Sequence, residues 1–361
     1  MPMLRPPLRY QPEFEQPEAD EAAHITELVQ LFTAMAQTVA EHEGRAHRAV
    51  HAKGQGLLRG HLQVLPDLPA ELAQGLFARP ARYEAIVRLS SPPAEQLPDS
   101  VSTPRAMALK VIGVHGARAP GSGELHSQDF LMVNGPAFNS PGVAGFLRAA
   151  RLLAATTERM PRTKRAISAA LRGAEAALEA VGTQSASLKG LGGEPQRHPL
   201  GETFFTQVPF LYGPYMAKFS LAPVSPALLA LQGARLDAGA DAQRDAVTAF
   251  FAGPGAPAHW ELRVQLCRDL DRMPVEDASV EWLQDESPWQ PVARLELPAQ
   301  VAWDELQSPA SEDELAFAPW HALAAHRPLG GLNRARREVM QASRQFRAGF
   351  NRCPIHEPIA E

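Results

Sequence analysis

After residue 56 the apolar residues stop following a helical period and gather in short runs broken by Gly and Pro. That change constrains the fold more than any other feature of the chain. Strands are expected over 57–65, 84–91, 106–114 and 129–134, and again over 203–210, 216–224, 260–267 and 291–297. The last two alternate as half-buried strands do. Between the two sets, the Ala- and Leu-rich stretch 143–181 reads as a pair of helices split at Pro161. Eight strands without βαβ alternation suit a closed antiparallel barrel better than a doubly wound sheet, so the expected class is α+β with flanking helices.

Ahead of the barrel, Ile25, Leu28, Val29, Phe32, Met35 and Val39 recur at helical spacing, with Asp20 placed to cap the helix and Gly44 to end it. The expected division is a helical arm over 1–43 and a barrel domain with C-terminal helices over 44–361. With 361 residues, 45% of them hydrophobic, the chain has enough apolar surface to bury a large core. A net charge of −5 with Arg mixed among Asp and Glu gives no basic stripe for nucleic acid. No stretch has the length of a membrane span or of a secretory leader, and a cytoplasmic location is expected. Cys267 and Cys353 form neither a CxxC pair nor a zinc pattern, and they read as free thiols.

The chemistry is carried by a series of short motifs. In Arg48-Ala49-Val50-His51-Ala52-Lys53-Gly54, a His followed by Lys and Gly is poorly suited to core packing. A neutral imidazole there can take and return a proton; the alternative is a histidine in a surface turn. Val87-Arg88-Leu89-Ser90 follows, then Thr103-Pro104-Arg105-Ala106-Met107-Ala108-Leu109-Lys110 and Asp129-Phe130-Leu131-Met132-Val133-Asn134-Gly135-Pro136. Phe317-Ala318-Pro319-Trp320 precedes a helical run, Asn333-Arg334-Ala335-Arg336-Arg337-Glu338-Val339-Met340.

In this order the motifs resemble the catalase superfamily, in particular its short bacterial catalase-related members, over about residues 40 to 347. The resemblance implies an eight-stranded catalase-like barrel that holds haem b, with a small-molecule peroxide as substrate, and it leaves a homo-oligomer open. It casts His51 as acid and base, Ser90 as the hydrogen-bond partner that orients it, and Arg48, Arg88 and Arg336 as anchors for the haem propionates. Met107 stands where the family has Phe. Anchored on Pro136, the family's peroxide-polarising Asn falls on Val133. A one-residue shift would give that role to Asn134, whose other reading is a strand-ending turn. Phe146 would stack on the porphyrin or serve as a core aromatic.

The proximal side departs from the family, which binds iron through a tyrosinate one helical turn after an Arg. Arg336 is present, but Met340 stands at the tyrosine position, and no tyrosine follows Tyr215. Arg336, Met340, Arg344 and Arg347 share one helix face, beside an apolar stripe of Ala335, Val339, Ala342 and Phe346. A thioether is a soft, neutral ligand that does not donate charge as a phenolate does. His321 is the alternative iron ligand and His326 a further candidate, each with a structural role in a turn as its other reading; Cys353 carries little weight. The expected function is haem-dependent peroxidase or catalase-like chemistry on hydrogen peroxide or organic hydroperoxides. The alternatives are a catalase-fold pseudoenzyme that binds or senses haem, and a fatty-acid hydroperoxide-rearranging enzyme.

Overall fold

The computed structural model describes residues 4–359 apart from 102, 124, 157–194 and 238. Its strands are β1 (Lys53–Val64), β2 (Arg82–Ser91), β3 (Ala106–Ile112), β4 (Ser127–Val133), β5 (Phe204–Phe205), β6 (Phe210–Tyr212), β7 (Tyr215–Pro223), β8 (Ala258–Leu266) and β9 (Gln290–Leu297). They pair antiparallel in the order β5-β4-β3-β2-β1-β9-β8-β7-β6, and β5 also pairs with β7. Eight strands therefore close into a barrel, and β6 attaches to β7 as a hairpin arm. Closure leaves no long open edge between β4 and β7.

Seven of the eight expected strands are found close to their expected positions. The run 203–210 is the exception. Only Phe204 and Phe205 enter the barrel, because Gln207 takes a left-handed backbone conformation (φ 60°) that ends the strand before β6 begins. The second helix expected after Pro161 lies outside the described residues.

Strand alternation fills the barrel interior. Val87 and Leu89 of β2, Met107 and Leu109 of β3, and Phe130 and Met132 of β4 point inward, where they join Phe219, Trp260 and Leu262 in one buried cluster. The outward residues of the same strands form cross-strand rows. Arg88 lies opposite Ala108, which lies opposite Leu131; Ser90 lies opposite Ala106, which lies opposite Val133. The interior is packed with these side chains, and a cavity lies against the barrel's outer wall.

The helices are α1 (Glu21–Glu43), α2 (Val143–Thr156), the single turn α3 (Pro226–Leu229), α4 (Ala242–Ala252), α5 (Ser308–Glu314) and α6 (Gly331–Asn351). α1, α2 and α6 form a second layer over that wall, whereas Leu228 of α3 and Val247 and Phe251 of α4 join the barrel core cluster. Leu28, Phe32, Met35 and Val39 of α1 pack with Val143 and Leu147 of α2 and with Ala335 and Val339 of α6. Gly44 ends α1 in the left-handed conformation, but Asp20 makes no capping hydrogen bond. No helix among the described residues is long and apolar enough to cross a membrane.

Candidate active-site cavity

Between the outer wall of β2, β3 and β4 and the helical layer lies a cavity of about 890 Å³. That volume falls within the range of small-molecule sites, roughly 300–1,000 Å³. Its floor exists because Ala106 and Ala108 present small side chains in the middle of the outward rows. Phe32, Val50, Leu131, Phe138, Phe146 and Val339 supply apolar walls. Arg48, Arg88, Arg336, Arg337, Arg344 and Arg347 also line it, together with His51 and His321, whereas no Asp or Glu does among the described residues. The cavity is thus an apolar space with a strong preference for negative charge.

Arg337 stacks over the Trp320 ring, 5.1 Å from its centroid, and the other five arginines fall into two groups. Arg48 donates to Glu312 Oε2 at 3.4 Å and to the carbonyls of Glu312 and Leu315. Arg88 holds the same carboxylate through Nε at 2.6 Å and Nη2 at 3.2 Å. Arg347 donates to the carbonyls of Glu312, Asp313 and Leu315. Burial would push the Glu312 carboxyl up, but Arg88 and Arg48 outweigh it and hold the group below the usual carboxylate range. On the α6 face, Arg336 touches only Asn333 Oδ1, at 3.5 Å, and Arg344 donates to the carbonyl of Ile355. Neither makes an ion pair with a carboxylate among the described residues. Burial brings Arg336 down to about 10.

His51 lines this cavity with a left-handed backbone (φ 58°), an uncommon conformation for a residue other than Gly. Its Nδ1 is buried and has no hydrogen-bond partner. Burial, then the positive fields of Arg88 and Arg336, lower its pKa to about 3, so the ring is neutral across the physiological range. Ser90 reaches the cavity from β2, but with His51 Nδ1 unpartnered it does not orient that nitrogen.

Asn134 does not belong to the site. Its Oδ1 accepts from the backbone of Arg105 at 2.9 Å, and its Nδ2 donates to Glu202 at 3.2 Å, which turns the amide away from the cavity. Val133, one residue earlier in the strand alternation, faces the space instead. The pleat thus turns Val133 to the cavity and Asn134 to Arg105 and Glu202, in keeping with the strand-ending turn. Phe146 lines the cavity and packs against Phe32 and Phe138, with ring centroids 5.8 and 5.4 Å away.

Arg336, Met340, Arg344 and Arg347 all line the cavity, as expected from their common helix face. His321 lines it as well, but its Nδ1 is held by Asp129 Oδ2 at 3.0 Å and lies 3.3 Å from Lys110 Nζ. Asp129, His321 and Glu357 stand close enough to suggest a metal site. The Lys110 ammonium, bonded to both Asp129 oxygens and to Glu357, already supplies the cation. His326 is enclosed away from the cavity: Nε2 accepts from the Leu76 N–H at 3.0 Å, and burial lowers its pKa to about 4. Both cysteines are free, Cys267 buried in the core and Cys353 beyond α6.

Sequence reasoning missed Glu312. It lies in the run Ser308-Pro309-Ala310-Ser311-Glu312-Asp313-Glu314, whose composition is that of a solvated surface turn. Nothing local marks its carboxylate as buried. Only the approach of three arginines from distant segments does so.

No family model matches the chain, and no curated protein matches it by sequence. Solved structures do. A fungal catalase aligns with a TM-score of 0.58 and 16% identity over 87% of this chain and 62% of its own. Catalase A from Saccharomyces cerevisiae gives 0.60 and 16% over 87% and 64%, and a bacterial catalase 0.60 and 18% over 100% and 67%. The chain spans less than two thirds of the first two, and at these identities the likeness establishes the fold alone. The chain has the catalase fold.

Proposed function

We propose that this catalase-fold chain is a haem-dependent, peroxidase-type oxidoreductase acting on hydrogen peroxide or organic hydroperoxides in the cavity beside His51. The observation that carries the proposal is the neutral, unpartnered imidazole of His51 facing a cavity that has arginines but no carboxylate in its wall. Haem b fits this donor set. The volume and apolar walls suit a porphyrin, and the α6 arginines that make no ion pair suit its propionates. Met340 is the cavity's soft donor for the iron, and His321 is the alternative, supported by Asp129. When bound, the group would supply the redox chemistry that no side chain here can perform.

The chain's own part is proton handling and orientation. His51 is kept neutral by burial and by the adjacent guanidiniums, so it can accept a proton from a peroxide oxygen and return it. An anion bound near Arg336 would weaken the field that depresses the imidazole, raising its basicity once the site is filled. Phe138, Phe146 and Val50 exclude water from that exchange.

A second reading, a catalase-fold binding or sensing module, is favoured by two occupied groups: Asn134 is committed to Glu202, and Arg48 and Arg88 to Glu312. An optical spectrum after titration with haemin, followed by peroxide turnover, separates the readings. We expect a Soret band and turnover in the native chain, and for His51→Ala the same band with turnover lower by about 10²–10⁴-fold. A Soret band with equal turnover in both proteins removes His51 from the mechanism. A band without turnover in either leaves the binding module.

A further inference from the structure

Arg48, Arg88 and Arg347 come from three distant segments and converge on the α5 end of the cavity. Arg88 and Arg347 are buried and Arg48 is half-buried, and a guanidinium such as that of Arg88 is suited to hold a carboxylate in two-point contact. A carboxylate is there, but it belongs to the chain: Arg88 grips both Glu312 oxygens, and Arg48 reaches Oε2. The backbone is fitted to it. A Cβ on residue 54 would lie 2.6 Å from Glu312 Oε1 and 2.7 Å from the Trp303 ring, so only Gly54 leaves room for the carboxylate tip. Asp313 is shared between Arg45, at 2.7 Å, and Arg347, at 3.6 Å, and so does not replace Glu312 on Arg48 and Arg88.

We propose that Glu312 is a specificity-determining residue: its carboxylate fills the seat formed by Arg48 and Arg88, beside which Arg347 holds the Glu312 backbone carbonyl, and a carboxylate ligand gains that seat only by displacing it. The proposal rests on the cavity being a ligand site, and it deepens that reading by dividing the arginines. Arg336 and Arg344 of α6 meet the anionic groups of a ligand in the native chain. Those around Glu312 are closed to carboxylates. Substituting Glu312 therefore converts an internal ion pair into a second anion seat for a carboxylate-bearing molecule, either a porphyrin diacid or a small free carboxylate.

Two measurements on the full chain test this. Glu312→Gln and the native protein are titrated with iron protoporphyrin IX and with its dimethyl ester, following tryptophan quenching. Losing a competing charge-assisted bond predicts diacid binding tighter by about tenfold or more in the variant, with the ester unchanged. Equal diacid affinity in the two proteins overturns the proposal.

Because a less compensated arginine cluster can destabilise the fold, Glu312→Ala is melted in formate, in propionate and in chloride at matched ionic strength. The seat predicts a lowered melting temperature that formate or propionate raises and chloride does not. No selective rescue by either carboxylate overturns it. If neither protein binds either porphyrin, the haem reading fails while the melts still decide the role of Glu312.

Discussion

At the scale of single residues, the site is governed by which charges are already matched. Arg48 and Arg88 have the sequence context of ligand anchors but are tied to Glu312, whereas Arg336 faces the cavity with only an amide oxygen beside it. Position 340 tests what Arg336 is for. A phenolate one turn after Arg336 would feel that guanidinium, which opposes the upward push of burial on a phenol. Met340→Tyr in the haem-loaded protein is expected to show a tyrosinate-ligated, high-spin ferric spectrum and increased peroxide dismutation over the native chain. Spectra that coincide would mean that residue 340 does not face the iron, and would pass that role to His321. The motifs drew attention to His51 and Arg88, and helical periodicity put Arg336 and Met340 on one face; all four line the cavity. The sequence leaves Asn134 between two readings, because strand alternation, and not proximity in sequence, decides which neighbour faces the cavity, and its bonds to Arg105 and Glu202 fit the strand-ending turn.

At the scale of elements, α6 matters most, since it presents Arg336, Met340, Arg344 and Arg347 to one space. Two devices set its position. Arg334 is bonded to Glu21 of α1, to Glu15 in the N-terminal segment and to Glu276 in the loop before β9, which ties the helix start to three other parts of the chain. Gly330 precedes the helix with φ 82° and ψ 161°, a region open almost solely to Gly, and a Cβ there would lie 2.6 Å from the Val275 carbonyl oxygen. Gly330→Ala is expected to cost about 1–3 kcal/mol and to displace the start of α6. Urea unfolding reads the first effect and haemin affinity the second; a variant with native stability would show that the turn has another conformation to adopt. The helix itself was legible in its periodicity. Its anchoring depends on carboxylates 58, 313 and 319 residues away, which no local pattern reveals.

At the scale of the whole molecule, several imidazoles are enclosed in the neutral form, and acid should find them. His198 and His326 are buried, and their pKa values are lowered to about 4. Unfolded imidazoles take up protons near pH 6.5, so between that value and about 4 the unfolded chain binds more protons than the folded one. Stability then falls with acidification, by at most about 1.4 kcal/mol per pH unit for each of these two groups. The urea midpoint should accordingly be lower at pH 5 than at pH 7, and equal midpoints would mean that both rings are solvated. The sequence by itself determined the barrel, because its side-chain periods of two and of 3.6 are local properties that survive without tertiary contacts. The same periods placed Arg336 and Met340 on one helix face. Only the tertiary structure decided that the cavity lies outside the barrel wall, that Val133 and not Asn134 faces it, and that Glu312 fills the arginine seat. Those outcomes depend on which faces of distant segments meet, and on which buried charge finds a partner when they do.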